Sequence, residues 1–240
     1  MKPGRLILAC RNEAKGRVAV DRVKDDIGLA AVELRLLDLA SFASVTAFAD
    51  KFEEDGGRLD ILIANAAVGT TVYRVTKDGW EESQYVVDCA LVLAPGARLV
   101  ETAKKHGDKP RIVVVNSEFH HFASFKNDMD DSPSLFQNLN SKGHATASSV
   151  GSRYNETKLL VTFFIRSLSD LLKGTGVVTT VTPGYSYSEP NRDVKGVTRL
   201  IVHFLQDIMA HTTEEGSRQL IYAAVGSPEN PESLNGLAVH

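Results

Sequence analysis

The sequence predicts an α/β protein, a parallel sheet covered by helices on both faces in three layers. Short apolar runs of strand length alternate with longer segments of helical period. These runs are continuously apolar, as expected for strands buried on both faces of a parallel sheet. Polar residues with chemical capacity fall at the carboxyl ends of the runs, where such sheets bind ligands. With 240 residues, 43% of them hydrophobic and 24% charged, the chain has an ordinary globular composition and enough length for a sizeable core. It reads as a single domain over 1–240.

The elements follow in order. Arg5 to Cys10 is a compact apolar strand. Asn12 can cap a helix from Glu13 to about Ile27, because its side-chain oxygen accepts an otherwise unpaired N–H of the first turn. Val32 to Leu37 forms the second strand, and Ser41 caps a helix to about Glu54, which Gly56-Gly57 stop. Asp60 to Asn65 is the third strand. A loop leads to a helix from about Lys77 to His106, broken at Pro95-Gly96. Arg111 to Asn116, rich in β-branched residues, is the fourth strand, and a polar stretch from Glu118 to Ser149 follows. A helix carrying Tyr154 runs to about Lys173. Gly174 and Gly176 close it, and Val177 to Thr182 is the fifth strand. The remainder reads as helical until a tail from Gly226.

Several function classes are excluded or disfavoured. The net charge of −3 offers no basic footprint for nucleic acid. Cys10 and Cys89 make no disulfide framework, and no apolar run approaches the ~20 residues that span a bilayer. With no secretory-type apolar leader, the expected location is cytoplasmic. His120 and His121 are adjacent, and no cysteine or carboxylate spacing completes a zinc site around them.

The chemistry centres on Tyr154 and Lys158. Four residues apart on a helix, the phenol and the ammonium share one face. A free phenol ionises near pH ~10, and a fixed cation beside it favours the phenolate, which suits a general acid–base group. Ser117, at the end of the fourth strand, can hold a substrate oxygen beside the phenol. The chain has six tyrosines, so a Tyr-x-x-x-Lys spacing is weak evidence alone and the context must carry it. That context is a row of residues at strand ends: Arg11, Asp38, Asn65, Ser117 and Pro183-Gly184. Each has an ordinary structural reading: Asp38 as a helix-entry residue, Asn65 as a turn former, Pro183-Gly184 as a plain turn, Arg11 as a solvated charge. Their gathering at one edge of one sheet favours a shared site.

The ordered set Ala9-Cys10-Arg11-Asn12-Glu13-Ala14-Lys15-Gly16, Leu37-Asp38-Leu39-Ala40-Ser41, Ala64-Asn65-Ala66-Ala67, Val115-Asn116-Ser117, Tyr154-Asn-Glu-Thr-Lys158 and Pro183-Gly184 resembles the short-chain dehydrogenase/reductase superfamily. Within it, the chain is most similar to the fungal form of the retinol-dehydrogenase-like branch. The resemblance implies a Rossmann-like fold, a nicotinamide cofactor, and Tyr154 as the acid–base group. It implies that Lys158 stabilises the phenolate and holds the nicotinamide ribose, while Ser117 positions the reacting oxygen. Asp38 and Leu39 would lie at the adenine, Asn65 and Ala66 would line the cofactor, and Pro183, Gly184 and Ser188 would face the nicotinamide. Arg11, assisted by Lys15, suits the 2′-phosphate of NADP, because a planar guanidinium matches phosphate geometry; NADP is therefore expected over NAD. The small-molecule partner would be an alcohol or carbonyl compound. Phe119, Phe122, Phe125, Tyr185 and Tyr187, in the loops 118–149 and 185–195, suggest an apolar substrate, or else anchor those loops.

The sequence also departs from that family. Members open with a strand and a Thr-Gly-x-x-x-Gly-x-Gly turn, roughly thirty residues ahead of the strand matching Leu6 to Cys10, which brings a backbone to the pyrophosphate. Here Gly4 is the only glycine in the first fifteen residues. The missing strand would be the central one. Between Tyr85 and Leu99 the chain is several residues short, and Asp88 is the nearest candidate for the family's asparagine. Ala67 stands where glycine is usual, and the tail stops about where a last strand would begin. The domain is thus expected to be truncated at both ends. The strands at 5–10 and 60–65 should then either pair directly or leave the 1–55 segment loosely packed. Two readings stand: an NADP-dependent oxidoreductase, or a non-catalytic remnant with weak cofactor binding.

Overall fold

A computed structural model describes residues 3–66, 73–82, 99–107, 109–123, 125, 137, 139–147, 150–184 and 213–239. The strands are β1 (Leu6–Cys10), β2 (Val32–Leu36), β3 (Ile61–Ala64), β4 (Arg111–Val115), β5 (Val177–Val181) and β6 (Ala238–Val239). The helices are α1 (Glu13–Ile27), α2 (Phe42–Glu54), α3 (Lys142–Ala147), α4 (Val150–Leu171) and α5 (Thr213–Val225). Residues 99–106 are also helical. The five expected strands are all present and all parallel.

The caps work as their residue types dictate. The Asn12 side chain accepts from the Lys15 N–H and Ser41 from the Ser44 N–H, which starts α1 and α2 where the sequence placed them. Gly28 closes α1 with φ 61°, a left-handed conformation suited to glycine.

Three expectations are corrected. Lys77 does not begin a helix. Residues 75–81 form a tight antiparallel turn, with the Thr76 N–H donating to the Trp80 carbonyl at 2.7 Å and Gly79 at φ 84°. The polar stretch holds a 3-10 turn, Glu118–Phe122, capped by Ser117, and then α3. The tail does build a last strand: β6 pairs with β5, so Thr180 faces Ala238.

The strands fall into two sheets, β1–β2 and β3–β4–β5–β6. Among the described residues, β1 and β3 do not pair with each other. Ile61 and Ile63 of β3 are 38% and 39% exposed.

The larger sheet is covered on both faces. On one, Ala64, Ile112, Val114 and Val178 pack with Val161, Ile165 and Leu168 of α4. On the other, Val113 and Val181 pack with Ala223 and Ala224 of α5. Each of the valine, leucine and isoleucine side chains contributes about 1.5–3 kcal/mol by leaving water. The smaller sheet packs on α1 through Val20, Leu29 and Val32. Close approach there depends on Gly16, where an added Cβ would lie 2.8 Å from the Cys10 sulfur and against the Leu34 methyls.

Candidate active site

The predicted residues follow the carboxyl ends of parallel strands in two sheets, not in the single sheet expected. Asn116 and Ser117 follow β4, Asn65 and Ala66 follow β3, Thr182, Pro183 and Gly184 follow β5, Arg11 follows β1 and Asp38 with Leu39 follows β2. Ser188, Tyr185, Tyr187 and Asp88 lie outside the described residues.

The end of β4 is where the chemistry gathers. The Lys158 ammonium is buried, its side chain crossing to β4, and Nζ donates to the Val115 carbonyl at 3.3 Å. The same Nζ lies 5.8 Å from the centroid of the Tyr154 ring, as the four-residue spacing on α4 dictates. Two residues beyond Val115, Ser117 is extended, with φ −150° and ψ 144°. Its Oγ accepts from the Phe119 N–H at 3.3 Å, so the hydroxyl proton remains to donate. Phe119 then sits edge-on to Tyr154, with centroids 6.1 Å apart and an interplanar angle of 72°. The His120 ring nitrogen Nδ1 contacts the Ser117 carbonyl at 2.6 Å and steadies the turn.

Several residues with structural consequences for this site were not legible in the sequence. Asn116 Nδ2 donates to Thr162 Oγ1 at 2.9 Å, and Thr162 Oγ1 donates to the Lys158 carbonyl, which ties β4 to α4. Asn116 Oδ1 is buried with no partner among the described residues. Glu156 meets His144 of α3 at 2.8 Å, both side chains being buried. Arg153 meets Glu81 at 3.5 Å. All of these contacts except the i to i+4 bond of Thr162 join residues distant in sequence, and no local pattern announces them.

The remaining candidates are placed more loosely. Asp38 accepts the Ala40 N–H at 3.1 Å while its own N–H donates to Ser44 Oγ at 3.0 Å, a local helix-entry arrangement. Asn65, Ala66 and Gly184 are exposed and Pro183 is half-buried. Arg11 is 63% exposed, its Nη1 3.9 Å from Glu82 Oε1, while Arg74 approaches the other oxygen of Glu82 at 3.8 Å. Among the described residues, no cluster of three or more histidine, cysteine or acidic side chains could hold a metal, and no helix is long and apolar enough to cross a membrane.

The sequence is similar to those of known proteins. The chain is 31% identical over 235 residues to the short chain dehydrogenase sol3 of Alternaria solani, covering 95% of this chain and 78% of that protein. The chain belongs to the short-chain dehydrogenase/reductase family. The chain is also 32% identical over 233 residues to mouse retinol dehydrogenase 11, covering 97% of this chain and 68% of the relative. L-sorbose reductase from Gluconobacter frateurii, solved with NADPH and L-sorbose, superimposes with a TM-score of 0.68 at 17% identity, over 98% of this chain and 84% of that one. That likeness shows the shared Rossmann-like fold. No family model matches the sequence.

Proposed function

We propose that the chain is an NADP-dependent oxidoreductase that interconverts an alcohol and a carbonyl on a small apolar substrate. One observation carries the reading: the buried Lys158 ammonium lies below Tyr154, at the strand end that bears Ser117.

The residues at this end fit a nicotinamide cofactor. A buried ammonium and a phenol one helix turn apart can engage a ribose and a reacting oxygen together, and the buried Asn116 Oδ1 leaves acceptor capacity beside them. A nicotinamide supplies or accepts hydride when bound. Tyr154 gives a proton to the carbonyl oxygen in reduction and takes it back in oxidation. Lys158 favours the phenolate left behind, and the Ser117 hydroxyl donates to the same oxygen as charge develops on it. Tyr154 and Lys158 would hold the ribose, and Asp38, Leu39, Asn65, Ala66, Pro183, Gly184 and Ser188 would line the remainder. Arg11 would read a 2′-phosphate, which favours NADP. Phe119, beside the phenol, and Phe122, against Phe119, are 51% and 73% exposed and suit an apolar substrate.

A second reading, a non-catalytic relative with weak cofactor binding, is favoured by the amino end of α1. Asn12 already closes that terminus, so its N–H groups are partly spent before any phosphate arrives.

Titration of the purified chain with NADPH and with NADH, followed by cofactor fluorescence, tests the proposal. Saturable binding in the micromolar range, with NADPH oxidation by an aromatic aldehyde, supports the first reading. Absence of both supports the second.

A further inference from the structure

We infer that the buried ion pair between Glu81 and Arg153 is a positioning device for Tyr154, a role that rests on the oxidoreductase reading above. Arg153 Nη1 lies 3.5 Å from Glu81 Oε1, and the two side chains are 3% and 0% exposed. Burying two charges costs several kcal/mol per ion, and apolar replacements of such pairs are often neutral or stabilising. Stability alone is therefore a weak account of this pair, and geometric specificity is the stronger one. Arg153 Nε, buried with no partner among the described residues, adds to the cost.

The carboxylate is presented from a rigid frame. The Glu81 N–H donates to Asn140 Oδ1 at 2.6 Å, and Asn140 Nδ2 donates to the Gly79 carbonyl at 3.0 Å. The Tyr73 hydroxyl donates to the Asn140 carbonyl at 3.1 Å, and the Glu82 N–H to the Arg74 carbonyl at 2.9 Å. The tight turn at 75–81 and the Asn140 segment thus grip the first turns of α4 through one guanidinium.

Arg153 immediately precedes Tyr154. Residues of an α-helix advance about 100° per position, so fixing the direction of Arg153 fixes the direction of Tyr154 about the helix axis. That direction sets the edge-on contact with Phe119 and the 5.8 Å approach of Lys158. A misplacement of ~1 Å at a reacting group can cost ~100-fold in rate.

The test compares wild type with Arg153→Met, Arg153→Lys, Glu81→Gln and Tyr154→Phe, using NADPH and benzaldehyde as the probe substrate. Thermal unfolding and NADPH binding are measured beside kcat and KM. The expected result for Arg153→Met and Glu81→Gln is a fall in kcat of about tenfold or more, with NADPH Kd and benzaldehyde KM changed by less than about twofold, and recovery of most of kcat in Arg153→Lys. Folded Arg153→Met and Glu81→Gln with wild-type kcat overturn the proposal. So does a loss of kcat matched by an equal loss of NADPH affinity, which marks a merely structural pair. Should Arg153→Met fail to fold, Glu81→Gln decides by the same criteria, and a loss of kcat in Arg153→Lys as large as in Glu81→Gln also overturns the proposal. Tyr154→Phe separates the two claims. If it stays as active as wild type, the reading of Tyr154 fails and this proposal fails with it. If it is inactive while the pair variants keep full kcat, the positioning role alone fails.

Discussion

Lys158 Nζ donates to the Val115 carbonyl across 3.3 Å, so the ammonium of α4 is anchored on the last residue of β4, two residues before Ser117. Strand and helix are thereby tied together two residues before Ser117. Replacing Lys158 with Met removes both the anchor and the charge while keeping the chain length. The expected outcome is loss of carbonyl reduction by about a hundredfold or more, with Tyr154→Phe at least as severe, in the range of a lost general acid–base group. Steady-state kinetics with NADPH and an aromatic aldehyde check this, and undiminished activity in both variants would remove Tyr154 and Lys158 from the mechanism.

Arg11 is the test of cofactor choice. Arg11→Ala is expected to weaken NADPH binding about tenfold while leaving NADH binding unchanged, the modest size reflecting solvent screening of a well-exposed guanidinium. Fluorescence titration with both cofactors measures it. Equal losses for the two would show that Arg11 does not read a phosphate. Because Glu82 approaches both Arg11 and Arg74, Glu82→Gln should shift the same ratio in favour of NADPH.

Gly16 sits in α1 against Leu34 and Cys10. Gly16→Ala is expected to destabilise the chain by about 1–3 kcal/mol, since the neighbouring methyls must shift, despite alanine's better helix propensity. Chemical denaturation checks the direction. A stabilised variant would mean that α1 rides freely over β1 and β2.

Glu33 sets an acid limit. The Arg5 guanidinium hydrogen-bonds its carboxylate and lowers the pKa from the ordinary 4.5 to about 2. A depressed carboxylate contributes stability that is fully present above about pH 4.5 and is lost as pH falls toward about 2. The pair is well exposed, at 39% and 42%, so screening holds the contribution to about 1 kcal/mol or less. Glu33→Gln should flatten this part of the acid limb in a stability–pH profile. An unchanged slope between pH 4.5 and 2 would show that the pair contributes nothing.

The fold was legible where its causes are local. Runs such as Ile112 to Val115 and Val177–Val181 are continuously apolar or β-branched, and caps such as Asn12 and Ser41 act within three residues, so strands and helix starts fell within a residue or two of their expected places. The turn at 75–81 was missed because Thr76, Lys77 and Asp78 carry no strong breaker before Gly79. The β6 strand was missed because Ala238–Val239 is too short for any period to show, and its pairing is supplied entirely by β5. Of the site, the approach of Lys158 to Tyr154 follows from spacing on one helix. The Asn116–Thr162, Glu156–His144 and Arg153–Glu81 contacts depend on long-range docking and left no local trace.

The bare isoleucines of β3 have a consequence for handling and for survival in a cell. Apolar side chains left exposed on a strand favour association with other chains. Ile61 and Ile63 are such residues, so the chain is a candidate for self-association that grows with concentration and for retention by chaperones during synthesis. A single lysine at Ile63, on the exposed side of the strand, should raise soluble yield and suppress light scattering, with the core of α4 and β4 left as it is.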